Sequence, residues 1–273
     1  MTTANPESGL PVARKSLPTD LLLPLAVLAL LLVIWQSAVS FFQISPVLFP
    51  SPLRVLQAGW KIRWQLSEAA LRTAAAAATG LCLGTCAGTL TAFAFSQSVA
   101  VRRAFYPYAV LLQTVPIIAI APIVIVTLGR GFLSVTLVAA ILSLFPIITN
   151  TTTGLLLVSP DLQDLFRLNQ ATRWQTLIHL RVPAALPYLL SGIRISSGSA
   201  IVGAIVGEFF VGSGTPGLGA LIQRKSASLV LSELYAVVLI STLLGTLSFG
   251  GISLAGEFVL RRWFGMSLGE ARR

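Results

Sequence analysis

Residues 161–187 read DLQDLFRLNQATRWQTLIHLRVPAALP, and this stretch decides how the rest of the chain is organised. It lies between two strongly apolar runs, yet it carries Asp161, Asp164, Arg167, Arg173, His179 and Arg181. A hydrocarbon interior does not hold so many charges. Its apolar residues still fall at helical spacing, with Leu165, Leu168, Ala171, Trp174 and Ile178 on one stripe. The pattern predicts an amphipathic element that lays an apolar face on a partner.

Local chemistry sharpens this. Thr172 followed three residues later by Gln175 is a capping-box pattern, which starts a helix at Arg173. Upstream, Asn169 and Gln170 stand where a preceding short helix ends, since Asn follows Gly in preference for the left-handed turn at a helix C-terminus. The stretch therefore reads as a helix, a tight turn and a second helix, closed by Pro183 and Pro187.

Of the 273 residues 55% are hydrophobic and only 10% charged, against about 25% charged in an ordinary soluble domain. This is an all-α, polytopic membrane composition, with room for about six transmembrane helices of ~20 residues each. The net charge of +10 does not make a nucleic-acid footprint, because the basic residues occur in pairs at the ends of apolar runs. Cys82 and Cys86 sit four apart in an apolar run and His179 is the single histidine, so neither a metal site nor a disulfide framework can be assembled. Both cysteines are expected to be reduced and packed as small hydrophobes.

In chain order, 1–20 is polar and proline-containing and reads as a flexible cytoplasmic tail, and 21–42 is a first, uncleaved span. Segment 43–72 contains the amphipathic VLQAGWKIRWQL, whose Trp60 and Trp64 flank Lys61 and Arg63. It is either a helix at headgroup level or a loop helix facing water. A second span, 71–95, carries Gly80, Gly84 and Gly88, a ridge for close helix approach. The third, 104–128, contains Pro107, Pro116 and Pro122 and places Gln113 and Thr114 beside a bend, where polar groups face protein or a water-filled path. The fourth, 133–157, ends in Thr149, Asn150, Thr151, Thr152 and Thr153; the threonines are expected to bond to their own backbone, whereas Asn150 needs a partner helix or water. A fifth span, 188–210, has Arg194 near its start and Glu208 near its far end, each open to a structural or a functional role. The glycine-rich 212–219 is a weak match to a phosphate loop and reads as an exposed turn; a polar segment, a last span at 234–260 and a short basic tail at 263–273 follow. The membrane-spanning body is thus 21–262, with a protruding loop at 160–187. With the N-terminus inside, the larger set of arginines and lysines falls on the cytoplasmic side, and the charged loop and both termini with it. No P-loop and no HExxH is present, and no serine has a base partner besides the lone His179, so the energy for any work comes from elsewhere.

The loop resembles the cytoplasmic loop of the inner-membrane permease subunits of bacterial ABC importers, whose signature is E-A-A, three residues, G, nine residues, I-x-L-P. Asp164, Leu165 and Phe166 stand at E-A-A, Gln170 at the glycine and Leu180 to Pro183 at I-x-L-P. The flanking ATRWQ, RVPAALPYLLSGIRIS, LLQTVPIIAIAPIVIVTLG and FPIITNTTTGL are similar to the nitrate, sulfonate, taurine and bicarbonate branch, over about 48–260. The resemblance implies a type I importer permease fold in the bacterial inner membrane, two ATPase subunits below and a periplasmic or lipid-anchored solute-binding protein above, with no cofactor and no enzymatic activity of its own. It implies coupling to the ATPase through Asp164, Arg167, Asn169, Gln170, Ala171, Thr172, Arg173, Trp174, Gln175 and Pro183. Gln170 in a left-handed turn costs on the order of 1 kcal/mol relative to Gly, unless Asn169 takes that conformation instead. One copy has too few helices to enclose a path beneath two symmetric motors, so a homodimer with the pore on its two-fold axis follows. Gln113, Thr114, Asn150 and Glu208 are the candidate path residues. The branch implies a small oxyanion such as nitrate, a sulfonate or taurine, or bicarbonate as cargo, with an aromatic or pyrimidine-type precursor as the alternative. An ion-coupled carrier is the reading from another class, and it requires ionisable residues deep in the spans.

Overall fold

In a computed structural model, residues 17–45, 47–211 and 217–264 are described. The expected tails lie outside these residues, except that the first helix, α1 (Leu17–Phe41), begins inside the stretch read as N-terminal tail and the last helix ends at Phe264, just inside the one read as C-terminal tail. Pro18 in its first turn removes only an N–H that has no intrahelical acceptor. After it come α2 (Pro52–Lys61), α3 (Arg63–Gln97), α4 (Val99–Thr114), α5 (Ile117–Leu128), α6 (Phe132–Leu156), α7 (Pro160–Leu168), α8 (Arg173–Thr176), α9 (Val182–Val211), α10 (Leu218–Ala227) and α11 (Leu231–Phe264). Among the described residues five helices are long and apolar enough to cross a membrane, and the α4–α5 pair makes a sixth crossing if its two halves count as one.

α6 is the centre. α3 packs along one side of it in the same direction, and α9 along another in the opposite direction. In a bilayer no hydrophobic force draws helices together, so close packing has to be earned by small residues. A Cβ added at Gly80 would stand 2.6 Å from that of Ala139, at Gly84 2.8 Å from that of Ser143, and at Gly88 2.8 Å from Ile147 Cγ2. The ridge read from the sequence therefore faces α6. Gly203 answers it from α9, where an added Cβ would stand 2.8 Å from the Ala139 Cα.

The third span is not one helix. α4 and α5 meet at 98° across Val115 and Pro116, and at about 24 and 18 Å each is shorter than the ~30 Å hydrocarbon core. Val115 has the extended backbone that a following proline imposes, with φ −68° and ψ 125°, so the bend falls at Pro116, whereas Pro107 and Pro122 stay inside helices. The amphipathic segment expected as one helix also breaks, at Ile62, leaving Trp60 on α2 and Trp64 on α3 with the Arg63 guanidinium 4.9 and 5.5 Å from their ring centroids.

Two further expectations need correction. Cys82 and Cys86 point outward from the protomer instead of packing inside it, because the buried face of α3 is the glycine face. The glycine-rich turn is not exposed at its described end: Leu218, Gly219, Ala220 and Leu221 are buried as the first turn of α10. α1 stands apart, touching the body mainly through Trp35 against Phe49 and Tyr235, with the side chains from Leu22 to Ile34 largely exposed to what would be lipid.

If the α3–α6 contact sets the fold, Gly84→Val should lower the melting temperature of the purified protein, since overpacking costs about 1–3 kcal/mol. Gly131→Ala, where nothing lies within 4 Å and the backbone is extended, should leave it unchanged.

Candidate functional site

The charged loop forms as a helical hairpin. In α7, Pro160 occupies the first position, Asp161 lies in the positive first turn and Arg167 in the negative last turn. The turn is a complete Schellman motif. Ala171 N–H donates to Phe166 O at 3.0 Å and Gln170 N–H to Arg167 O at 2.9 Å, with Gln170 itself left-handed at φ 52°. Asn169 keeps φ −82° and donates its side-chain amide to Leu165 O at 2.8 Å, so the strain sits on Gln170. Thr172 then starts α8 with both bonds of the capping box, Thr172 N–H to Gln175 Oε1 at 2.8 Å and Gln175 N–H to Thr172 Oγ1 at 3.3 Å.

Pro183 does not close this helix. Its ring has no N–H and crowds the carbonyl four residues back, and the chain meets that demand with a π turn over Leu177–Arg181, in which Val182 N–H donates to Leu177 O. α8, the π turn and α9 thus run as one helix from Arg173 to Val211, and Pro187 is buried within it. Leu177 and Leu180 are buried at its foot, Leu177 against Ala92, Leu155 and Ala185. Arg181 donates to Ser96 O at 3.1 Å and ties the foot to the end of α3.

What the hairpin presents outward is apolar and cationic. Leu168 is 82% and Trp174 71% exposed, with Leu165 and Ile178 exposed beside them. Arg173 and Gln175 are also exposed, whereas Ala171 and Pro183 are half-buried. Asp164 pairs with Arg167 at 3.1 Å, a contact so open to solvent that it contributes little.

The four candidate path residues do not converge. Gln113 and Thr114 are exposed at the α4–α5 bend, the Thr114 hydroxyl bonding to Leu111 O. Asn150 lies where α6 passes Gly192 of α9, its amide donating to Pro146 O at 2.8 Å. Thr149, Thr151 and Thr152 depart from expectation: their buried hydroxyls find no partner among the described residues. Glu208 is 3% exposed and turned into the protein, so it lines no opening in this conformation. Its carboxylate oxygens lie 2.8 and 2.9 Å from Thr73 Oγ1 and accept the Gly219 N–H at 2.9 Å, while Leu218 N–H donates to Thr73 Oγ1. One carboxyl group thereby gathers α3, α9 and the N-terminus of α10. A Cβ at Gly217 would collide with that carboxylate, and one at Gly219 with the Ile205 carbonyl, so both glycines are required by close approach. The sequence showed a glycine pattern after Glu208, but Thr73, 135 residues away, carried no signal of its role.

Long apolar helices around a glycine-packed centre, with a charged hairpin continuous with one of them, define a multi-pass membrane protein. Residues 84–261 match the family described as the binding-protein-dependent transport system inner membrane component, and the chain belongs to it. It is 33% identical over 235 residues to the formylaminopyrimidine transport permease protein of Halalkalibacterium halodurans, covering 86% of this chain and 92% of the relative. It is 32% identical over 241 residues to the riboflavin transport system permease protein of Chloroflexus aurantiacus, covering 86% and 88%. It is also 27% identical over 269 residues to the nitrate import permease protein of a Synechocystis species, covering 89% and 93%. The chain is therefore an inner-membrane permease of a binding-protein-dependent ABC importer, and these relatives are permeases, not enzymes.

Gln170→Gly should relieve the left-handed strain by ~1 kcal/mol, read as about fivefold greater amide-exchange protection at Ala171.

Proposed function

We propose that residues 160–187 are the coupling arm of the permease and receive force from a separate ATPase on the cytosolic face. The observation that carries this reading is the uninterrupted helix from Arg173 to Val211, with its free end apolar, cationic and unpartnered. Asp164, Arg167, Asn169, Gln170, Ala171, Thr172, Arg173, Trp174 and Gln175 form the contact, and Pro183, through the π turn before it, keeps the arm continuous with the membrane helix. Two copies of the chain bind two ATPases, with the path on the two-fold axis and the solute-binding protein on the opposite face. ATP binding draws the two arms together, and each α9 turns with its arm because the two form one continuous helix. In this reading the dimer then alternates between inward-open and outward-open forms. An ion-coupled carrier needs a titratable group free to bind its ion; Glu208 is already taken up by Thr73 and Gly219.

Gln113 and Thr114, on the open side of the bend, and Asn150 contribute to the path. These are neutral amide and hydroxyl groups, suited to a polar, uncharged ring, and the relatives named for formylaminopyrimidine and riboflavin share more identity with the chain than those named for nitrate or aliphatic sulfonates. The cargo we infer is a small nitrogen heteroaromatic compound. The oxyanion reading keeps the support of the nitrate and sulfonate relatives, at 27% and 29% identity.

Pull-down in mild detergent tests the arm. Arg173→Ala with Trp174→Ala should abolish ATPase co-purification while the permease stays folded, since interface anchors of these types are worth about 2 kcal/mol or more each. Undiminished co-purification would refute it. Calorimetry of the cognate binding protein tests the cargo: heat with pyrimidine- or flavin-type compounds and none with nitrate or taurine is expected, and the reverse pattern selects the oxyanion.

A further inference from the structure

Between the coupling arm and the turn joining α3 to α4 lies a cleft of about 560 Å³ with an unusual charge distribution. Four arginines line it: Arg102 from the first turn of α4, Arg167 from α7, Arg173 from α8 and Arg181 from the π turn. Among the described residues no carboxylate lines the cleft, and the one acid bonded to any of the four, Asp164, meets Arg167 in the open. Four guanidinium groups around one cleft repel one another, and that repulsion falls when an anion sits between them. Arginine forks match phosphate oxygens in pairs.

The position of the cleft selects the anion. Val99 and Leu156 share its wall with the arginines, and both belong to the ends of membrane helices, so the cleft reaches back to where the chain leaves the apolar layer. A smaller hollow of about 390 Å³ shares Arg102 and Leu156 with it and adds Arg103 and Tyr106, carrying the basic surface further along α4. Past these, α4 shows bare apolar side chains, with Phe105 57% and Tyr108 64% exposed. A basic hollow that opens onto an apolar helix face suits a molecule with a phosphate head and a hydrocarbon tail.

We propose that this cleft binds the phosphate headgroup of an anionic phospholipid of the cytosolic leaflet, with its acyl chain along α4. So placed, the lipid bridges the α3–α4 turn to the coupling arm and holds the arm at a fixed height above the membrane. The leaflet and the consequence for the arm rest on the coupling reading above, whereas lipid retention by these arginines does not. A soluble phosphate compound shares the headgroup chemistry but has no use for the apolar face of α4. Acidic side chains of the ATPase are a different occupant, which the test separates.

The purified permease–ATPase complex is reconstituted in nanodiscs of phosphatidylcholine with or without phosphatidylglycerol, and lipid retained after detergent extraction is read by native mass spectrometry. Wild type should retain phosphatidylglycerol selectively. Arg102→Gln with Arg181→Gln should weaken retention about thirtyfold, from roughly fivefold per arginine lost near an anionic surface. Because Arg181 also holds Ser96, Arg102→Glu alone is the second variant, and monodispersity and melting temperature establish that each is folded. Unchanged retention in folded variants, or retention abolished equally by excess inorganic phosphate, would overturn the lipid assignment. Retention absent from wild type, with the arginines shielded from modification only when the ATPase is bound, would give the cleft to the ATPase instead. Lipid retention with an ATPase that ignores the arm variants would leave the lipid site standing and remove the coupling reading.

Discussion

Pro183 imposes the constraint from which the rest of the structure follows. A proline in a helix removes a donor and pushes on a carbonyl, and the usual outcome is a kink or an end. Here the five residues before it widen into a π turn, Val182 N–H reaches Leu177 O, and the axis continues. Leu177 holds that turn by packing against α3, α6 and the start of α9, Leu180 is buried beside it, and Arg181 fastens it to the Ser96 carbonyl. A charged hairpin and a membrane helix become a single rod of 39 residues.

A rod transmits motion only if the body around it is firm. The firmness comes from small residues: Gly80, Gly84 and Gly88 against α6, and Gly192, Gly203 and Gly207 of α9 against the same helix. Backbones that approach this closely exchange many weak dispersion contacts, the main attraction left when the solvent is itself hydrocarbon. At the far end of α9, Glu208 joins α3 and α10 through Thr73 and Gly219, so both ends of the helix are fixed to α3 by polar contacts. By contrast α4 and α5, bent at Pro116 and packed mostly on one side, form the looser wall where Gln113 and Thr114 lie open.

Local rules made most of this legible. The stripe from Leu165 to Ile178, the capping box at Thr172 and Gln175, the glycine ridge of α3 and the spans are each written within a few turns of chain, where periodicity and caps speak directly. The sequence could not say whether Asn169 or Gln170 would take the left-handed turn, since both are polar and adjacent; the Schellman register settled it on Gln170. From the sequence Pro183 reads as a stop, and Pro107, Pro116 and Pro122 read as bends. Which prolines are absorbed depends on neighbours far along the chain that can hold a widened turn. Glu208 is legible only as an acid near the far end of a span, open to a structural or a functional role, because its partner Thr73 lies 135 positions away, a distance at which pattern carries no information.

The account stands on the arm and α9 moving as one body. His179 and Val202, both exposed and neither part of the ATPase contact, are 23 residues apart in one helix, about 35 Å if it is unbroken. Spin labels at these two positions in one protomer, with distances measured by pulsed electron resonance in the nucleotide-free and ATP-trapped complex, test that directly. An unchanged distance of about 35 Å in both states is the predicted result. A shortening of several ångströms on ATP binding would place a hinge at Pro183 and contradict it.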